Sequence, residues 1–183
     1  DQAATWIGER KSGDKPFFLY LAYTSPHWPL HALETDIAKY RGRYKEGWDA
    51  LRQQRHKRMI DMGLVKKDWP ITPRDKDVPE WKDEPDKEWM QQRMEVYAAQ
   101  VDRMDQGIGR IVKTLKDAGQ YDNTLICFLQ DNGGCAEFMA EDGWAKFMPD
   151  VHNDGRRIHM GNRPELQPGG ALSYQSYDLP WAN

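Results

Sequence analysis

The apolar positions follow several distinct rhythms along the chain. Residues 1–10 place Ala3, Ala4, Trp6 and Ile7 on one side of a helical wheel, which predicts a short amphipathic helix. Lys11-Ser-Gly-Asp14 then reads as a turn. Pro16-Phe-Phe-Leu-Tyr-Leu-Ala-Tyr23 is apolar without alternation and bounded by turn residues, the signature of a strand buried on both faces. Pro26 and Pro29 prevent its continuation as a central strand.

The helical period is clearest at Met94, Tyr97, Ala98, Val101, Met104, Ile108, Ile111, Val112 and Leu115. Pro85 and Asp86 mark its start and Gly119 its stop. Met104, Ile108 and Ile111 are expected to be buried. Gly107 and Gly109 each lower helix propensity by about 1 kcal/mol, so both are expected where the helix packs closely on a sheet. Thr124-Leu-Ile-Cys-Phe-Leu129 is a second continuous apolar run. Strand, long helix, strand predicts a right-handed βαβ unit with both strands parallel in one sheet. The expected class is α/β, part of a larger and mainly parallel sheet.

Between these elements, residues 36–92 hold nearly half of the charged residues and four of the eight tryptophans: Trp48, Trp69, Trp81 and Trp89. The stretch reads as a charged insertion with a helix over Trp48–Met62, ended by Gly63, then a Pro-punctuated loop; its tryptophans predict that it folds against another surface. Residues 133–183 are loop-rich. Within them Glu165–Asn183, with Tyr174, Tyr177 and Trp181, reads as an ordered loop without regular structure. The whole of 1–183 reads as one domain or part of a larger one.

Composition narrows the function. The 183 residues carry a net charge of −3, which leaves no cationic surplus for nucleic acid. No apolar run approaches a membrane span. The opening Asp-Gln-Ala-Ala has neither initiator Met nor signal peptide, so the chain is expected to begin downstream of its gene's start. Two cysteines are too few for a disulfide scaffold. Cys127 is expected buried within its apolar run, and Cys135 follows a Gly-Gly loop with no cation nearby to activate it. No Walker loop, dinucleotide fingerprint, nucleophile elbow or His-Glu-x-x-His is present.

Candidate chemistry sits where the two predicted strands end, because parallel α/β sheets bind ligands beyond their carboxyl edge. Ser25-Pro-His27-Trp-Pro-Leu-His31 leaves the first strand, and Gln130-Asp131-Asn132-Gly133-Gly134 leaves the second. His27 and Asp131 are therefore expected to open onto one cleft. Asp131 and Asn132 offer adjacent oxygen donors suited to Ca²⁺ or Mg²⁺; an ordinary turn after a strand fits the same residues. His27, held between two prolines, is either an anion-binding or proton-donating group or a surface histidine. His31 has a weaker case. His56 lies in a basic run expected to be a solvated helix face. His152 and His159, near Asp150 and Asp154, read as surface polar residues ahead of a second metal site.

These segments together resemble type I sulfatases, bacterial arylsulfatases in particular. The resemblance rests on Pro16 to Ala32, on Tyr97-Ala-Ala-Gln-Val-Asp-Arg-Met-Asp-Gln-Gly-Ile-Gly109, on Asp122-Asn-Thr-Leu-Ile-Cys-Phe-Leu-Gln-Asp-Asn-Gly-Gly134 and on Ser173-Tyr-Gln-Ser-Tyr177 with Trp181-Ala-Asn183. It implies an alkaline-phosphatase-like α/β fold, present here in part, and hydrolysis of small-molecule or glycan sulfate esters. It also implies a formylglycine nucleophile, made from a Cys or Ser in Cys/Ser-x-Pro-x-Arg, and a Ca²⁺ ion on the sulfate. By resemblance Asp131 and Asn132 are metal ligands, Asp131 lies beside the formylglycine, and His27 contacts the sulfate and assists the leaving oxygen. The nucleophile motif and the remaining ligands are not in this sequence. The chain thus reads as a central part of a sulfatase that works with the remainder of its chain and is inactive alone. A phosphodiesterase or phosphonate hydrolase of the same superfamily, and a non-catalytic binding domain, are the rival readings. A periplasmic or secreted location is favoured over the bacterial cytoplasm, and the absence of an Asn-x-Ser/Thr acceptor disfavours a glycosylated lysosomal enzyme.

Overall fold

The computed structural model describes residues 1–10, 13, 15–140 and 148–182. The turn expected at 11–14 therefore lies, apart from Gly13, outside the described residues, as does Asn183. The elements run α1 (Gln2–Gly8), α2 (Glu34–Ile37), α3 (Gly47–Asp61), α4 (Lys87–Asp117), β1 (His159–Met160), β2 (Ser173–Tyr174) and α5 (Asp178–Ala182). Short 3-10 turns occupy Trp81–Asp83 and Tyr121–Asn123.

Helix α4 is the spine. It starts after Asp86 and closes near Gly119, whose φ of 64° accommodates the chain reversal at its end. Its first half is the more deeply buried, with Met90, Arg93, Val96, Ala98, Ala99 and Gln100 all inside. Met104, Ile108 and Ile111, expected in the core, are only half-buried. Helix α1 lies along the later turns of α4, where Asp1 pairs with Arg110 at 2.9 Å. Helix α2 docks through a polar clasp. Buried Asp36 accepts bonds from Lys39 (2.8 Å) and Gln106 (3.0 Å), and Asp102 accepts from the same two groups at 3.0 and 2.8 Å. Those bonds hold the Asp36 carboxyl below the usual carboxylate range despite its burial.

The core combines Leu30, Ile37, Trp48, Val78, Met90, Val96, Ala99, Tyr177 and Trp181. Helix α3 is polar over most of its surface and is anchored through Gly47 and Trp48. Trp48 meets Trp81 and Trp181 edge-on, with ring centroids 4.7 and 5.5 Å away. Each indole N–H also finds a carbonyl: Trp48 donates to Pro79, Trp81 to Lys45 and Trp181 to Met90. Trp48 and Trp81 of the charged stretch thus pack against Trp181, whereas Trp69 is 53% exposed.

The strand expectations are corrected. Neither 16–23 nor 124–129 is a strand among the described residues; the sheet present is the two-residue parallel pair β1–β2, with His159 opposite Ser173 and Met160 opposite Tyr174. Phe18 and Leu125 are each 90% exposed, and Cys127, expected buried, is exposed. A continuous apolar run specifies burial on both faces, but it becomes a strand only where neighbouring strands supply hydrogen bonds. Glu165–Asn183 is more regular than expected, since it contributes β2 and α5. Gly107 does face a close neighbour, as an added Cβ would lie 3.1 Å from Tyr23 Oη; Gly109 faces open space, so close packing does not explain it.

Candidate active site

The histidine loop crosses the first half of α4. His27 N–H donates to Thr24 O (3.0 Å) and Leu30 N–H to Gln175 O (2.9 Å). His31 Nε2 bonds the Ser173 carbonyl at 2.9 Å, and His31 pairs in parallel with Gly169. His31 therefore ties the loop to β2 as a structural group. His27 is exposed, and its Nδ1 bonds the Trp28 carbonyl at 2.7 Å. A carbonyl can only accept, so Nδ1 carries the proton and Nε2 remains for other chemistry. Trp28 is buried with Met139, Ile158 and Tyr174, which anchors the loop beside the imidazole.

The second loop is anchored just downstream of its acidic residues. Asp131 and Asn132 are exposed, and Asn132 Nδ2 donates to Gly133 O at 2.9 Å. That bond leaves Asn132 Oδ1 and the Asp131 carboxylate as two outward oxygen donors, which fits part of a hard-cation site. Among the described residues no group of three or more His, Cys, Asp or Glu side chains converges on a metal position. Cys135 N–H donates to Tyr177 Oη, and its thiol bonds Glu137. Burial and the Glu137 carboxylate push the Cys135 thiol up to about 11, the opposite of an activated nucleophile.

Both loops lead back to α4. Gln100 donates to the carbonyls of Pro29 and His27. Tyr97, three residues earlier on the same helix face, packs its ring 4.6 Å from that of Tyr177, which holds Cys135. Buried Arg93 donates to the Ser176 carbonyl, lies 3.9 Å from Asp178 and stacks 4.3 Å from Trp89. Ser176 in turn donates to Glu137 O at 2.6 Å and exchanges bonds with Asn162 at 2.9 Å. Burial drives Arg93 down to about 10 and raises Asp178.

Reading from sequence missed Arg93, Gln100, Asn162, Ser176 and Tyr177 as supports. The one usable signal was polar: Arg93 and Gln100 interrupt the apolar stripe of α4, where a polar side chain needs a buried partner. The remaining histidines stay outside this arrangement. His56 bonds Trp69 O at 3.0 Å on the surface, and His152 pairs with Asp154 at 3.0 Å. His159 borders a cavity of about 230 Å³ with Asp150, Arg157 and Arg163.

Residues 1–160 match the family model described as Sulfatase. The chain is 31% identical over 189 aligned positions to an arylsulfatase of Klebsiella aerogenes, covering 100% of this chain and 37% of that protein. It is 42% identical over 132 residues to an uncharacterized sulfatase of Schizosaccharomyces pombe, covering 69% of this chain and 24% of that protein. Human N-sulphoglucosamine sulphohydrolase is 30% identical over 123 residues, covering 66% of this chain and 22% of that enzyme. The chain belongs to the sulfatase family, whose architecture is the alkaline-phosphatase-like α/β fold. It spans between about a fifth and two fifths of the length of these relatives.

Proposed function

We propose that this chain forms part of a sulfuric ester hydrolase of the arylsulfatase kind, carrying one side of its active site. The observation that carries the reading is the common anchorage of the two loops. Gln100 and Tyr97, one turn apart on α4, support the His27 loop and the segment that follows Asp131 and Asn132. In this reading Asp131 and Asn132 Oδ1 are two ligands of a calcium ion. That ion, when bound, supplies positive charge to the sulfuryl oxygens.

His27 keeps Nδ1–H on the Trp28 carbonyl, so Nε2 is the nitrogen that meets substrate. As imidazolium it donates a hydrogen bond to the anionic sulfate and can pass its proton to the departing oxygen. The formylglycine nucleophile and further ligands come from sequence outside these residues, and the isolated chain has no turnover. The exposed apolar runs at 16–23 and 124–129 are then surfaces that the rest of that protein covers.

The test uses the full-length enzyme with an aryl sulfate, and with a phosphate diester as the comparison substrate. Asp131→Ala should abolish calcium-dependent sulfate release. Asn132→Ala should weaken it less, because it removes a dipole rather than a charge. His27→Ala should lower kcat by about 10²–10³-fold with calcium affinity unchanged. Asp131→Ala retaining wild-type turnover removes the metal role. Faster cleavage of the diester than of the sulfate moves the protein to phosphoryl chemistry.

A further inference from the structure

Gln100 is a buried polar residue on the apolar face of a helix, only 6% exposed. Its amide nitrogen carries two hydrogens, and two carbonyls receive them, Pro29 O at 3.2 Å and His27 O at 3.4 Å. The opposite amide orientation would set Oε1 against both carbonyl oxygens, so the assignment of nitrogen and oxygen follows from the contacts. Gln100 Oε1 is itself buried and has no hydrogen-bond donor among the described residues. An unmet buried acceptor costs about 1–3 kcal/mol. An apolar side chain here would avoid that cost, so the two donors, rather than packing, distinguish Gln100 at this position.

The carbonyls it holds bracket the functional peptide. His27 O and Pro29 O lie on either side of Trp28 O, the group that receives His27 Nδ1 at 2.7 Å. Backbone ties also run from His27 N–H to Thr24 O and from Leu30 N–H to Gln175 O. Gln100 reaches its middle from outside.

We propose that Gln100 is a positioning residue for His27: its amide fixes the backbone from His27 to Pro29 and thereby, through the Trp28 carbonyl, the direction in which His27 Nε2 faces substrate. The inference rests on the reading that His27 acts on the sulfate ester. It predicts that removing the two donors leaves the fold in place and misaims the imidazole. Misplacement of about 1 Å can cost up to about 10²-fold in rate.

The full-length protein is compared with Gln100→Met, which keeps length and removes both donors. Gln100→Leu, which likewise removes both donors with an apolar side chain, supplies the same comparison should the Met variant fail to fold. Imidazole NMR needs no turnover. The His27 ring signal, identified by its loss in His27→Ala, should shift in the Gln100 variant. In turnover, Gln100→Met should lower kcat about 10-fold or more with KM within about twofold. In a His27→Ala background the same change should cost less than about twofold, since a residue acting through His27 has nothing left to position. An unchanged His27 signal, or a full multiplicative loss in the double variant, overturns the proposal. A wild-type protein inactive on sulfate esters whose His27 signal nevertheless responds to Gln100 overturns the sulfatase reading alone.

Discussion

Arg93 is the most deeply buried cation described, 1% exposed, and its removal has a calculable consequence. Arg93→Met keeps an apolar stem and deletes the guanidinium, and with it the stack on Trp89. Two larger losses follow. The Ser176 carbonyl loses a charged donor, worth about 1.5–3 kcal/mol. Asp178, largely buried and 3.9 Å away, loses its counter-charge; breaking such a pair typically costs about 3–5 kcal/mol. The 3.9 Å spacing exceeds a direct contact, so the second term sits at the low end and overlaps the first. A net loss of about 3–4 kcal/mol is expected. Urea unfolding of the full-length protein, followed by tryptophan emission, measures it, because Trp89 and Trp181 flank the site.

The loss should also depend on pH. Burial already raises the Asp178 carboxyl, and Arg93 opposes that rise. Without Arg93 the folded-state pKa climbs further above its unfolded value. A group so raised stabilises the fold at pH below its unfolded pKa, and that contribution is lost as pH rises through the folded value. The deficit of Arg93→Met should therefore be larger at pH 8 than at pH 5. Asp178→Asn in the Arg93→Met background should recover about 1 kcal/mol or more at pH 8 by removing the stranded charge. A single-variant loss below about 1 kcal/mol, or a double variant no more stable than the single, would refute the reasoning.

Other expectations follow from the same contacts. Cys135, raised from 9.0 to about 11, should be alkylated by iodoacetamide about 10²-fold more slowly at pH 8 than a thiol at 9.0, with the rate rising as pH approaches 11; Glu137→Gln should speed it. Because the folded thiol holds its proton longer than the unfolded one, its contribution to stability should fall as pH rises from 9 toward 11, read by urea unfolding across that range. Gly169→Ala should destabilise by about 2–4 kcal/mol, since its φ is +94° and an added Cβ would lie 2.9 Å from Val96 Cγ2; thermal unfolding checks it. Tyr177→Phe should speed hydrogen exchange at the Cys135 amide, which loses its acceptor; exchange at the wild-type rate would show that the contact carries no protection.

Local signals made the main helices legible. The 3.6-residue period, Asp86 ahead of it and Gly119 behind it specified α4 almost to the residue, and Gly63 marked the end of α3. Those features act within a few residues of themselves, through side-chain periodicity and backbone freedom, so the sequence alone contains them. The donors that His27, Asp131 and Asn132 offer were legible for a similar reason, since residue type alone states them.

The tertiary structure alone decided what those groups rest on. Nothing near His31 in sequence says that it bonds Ser173, nothing near Trp48 names Trp181, and the apolar stripe of α4 conceals that Arg93 and Gln100 hold distant carbonyls. The apolar runs at 16–23 and 124–129 show the limit from the other side. Their composition determines that they should be covered, yet strand formation depends on hydrogen-bond partners in other segments, so it is a property of the assembled sheet rather than of either run.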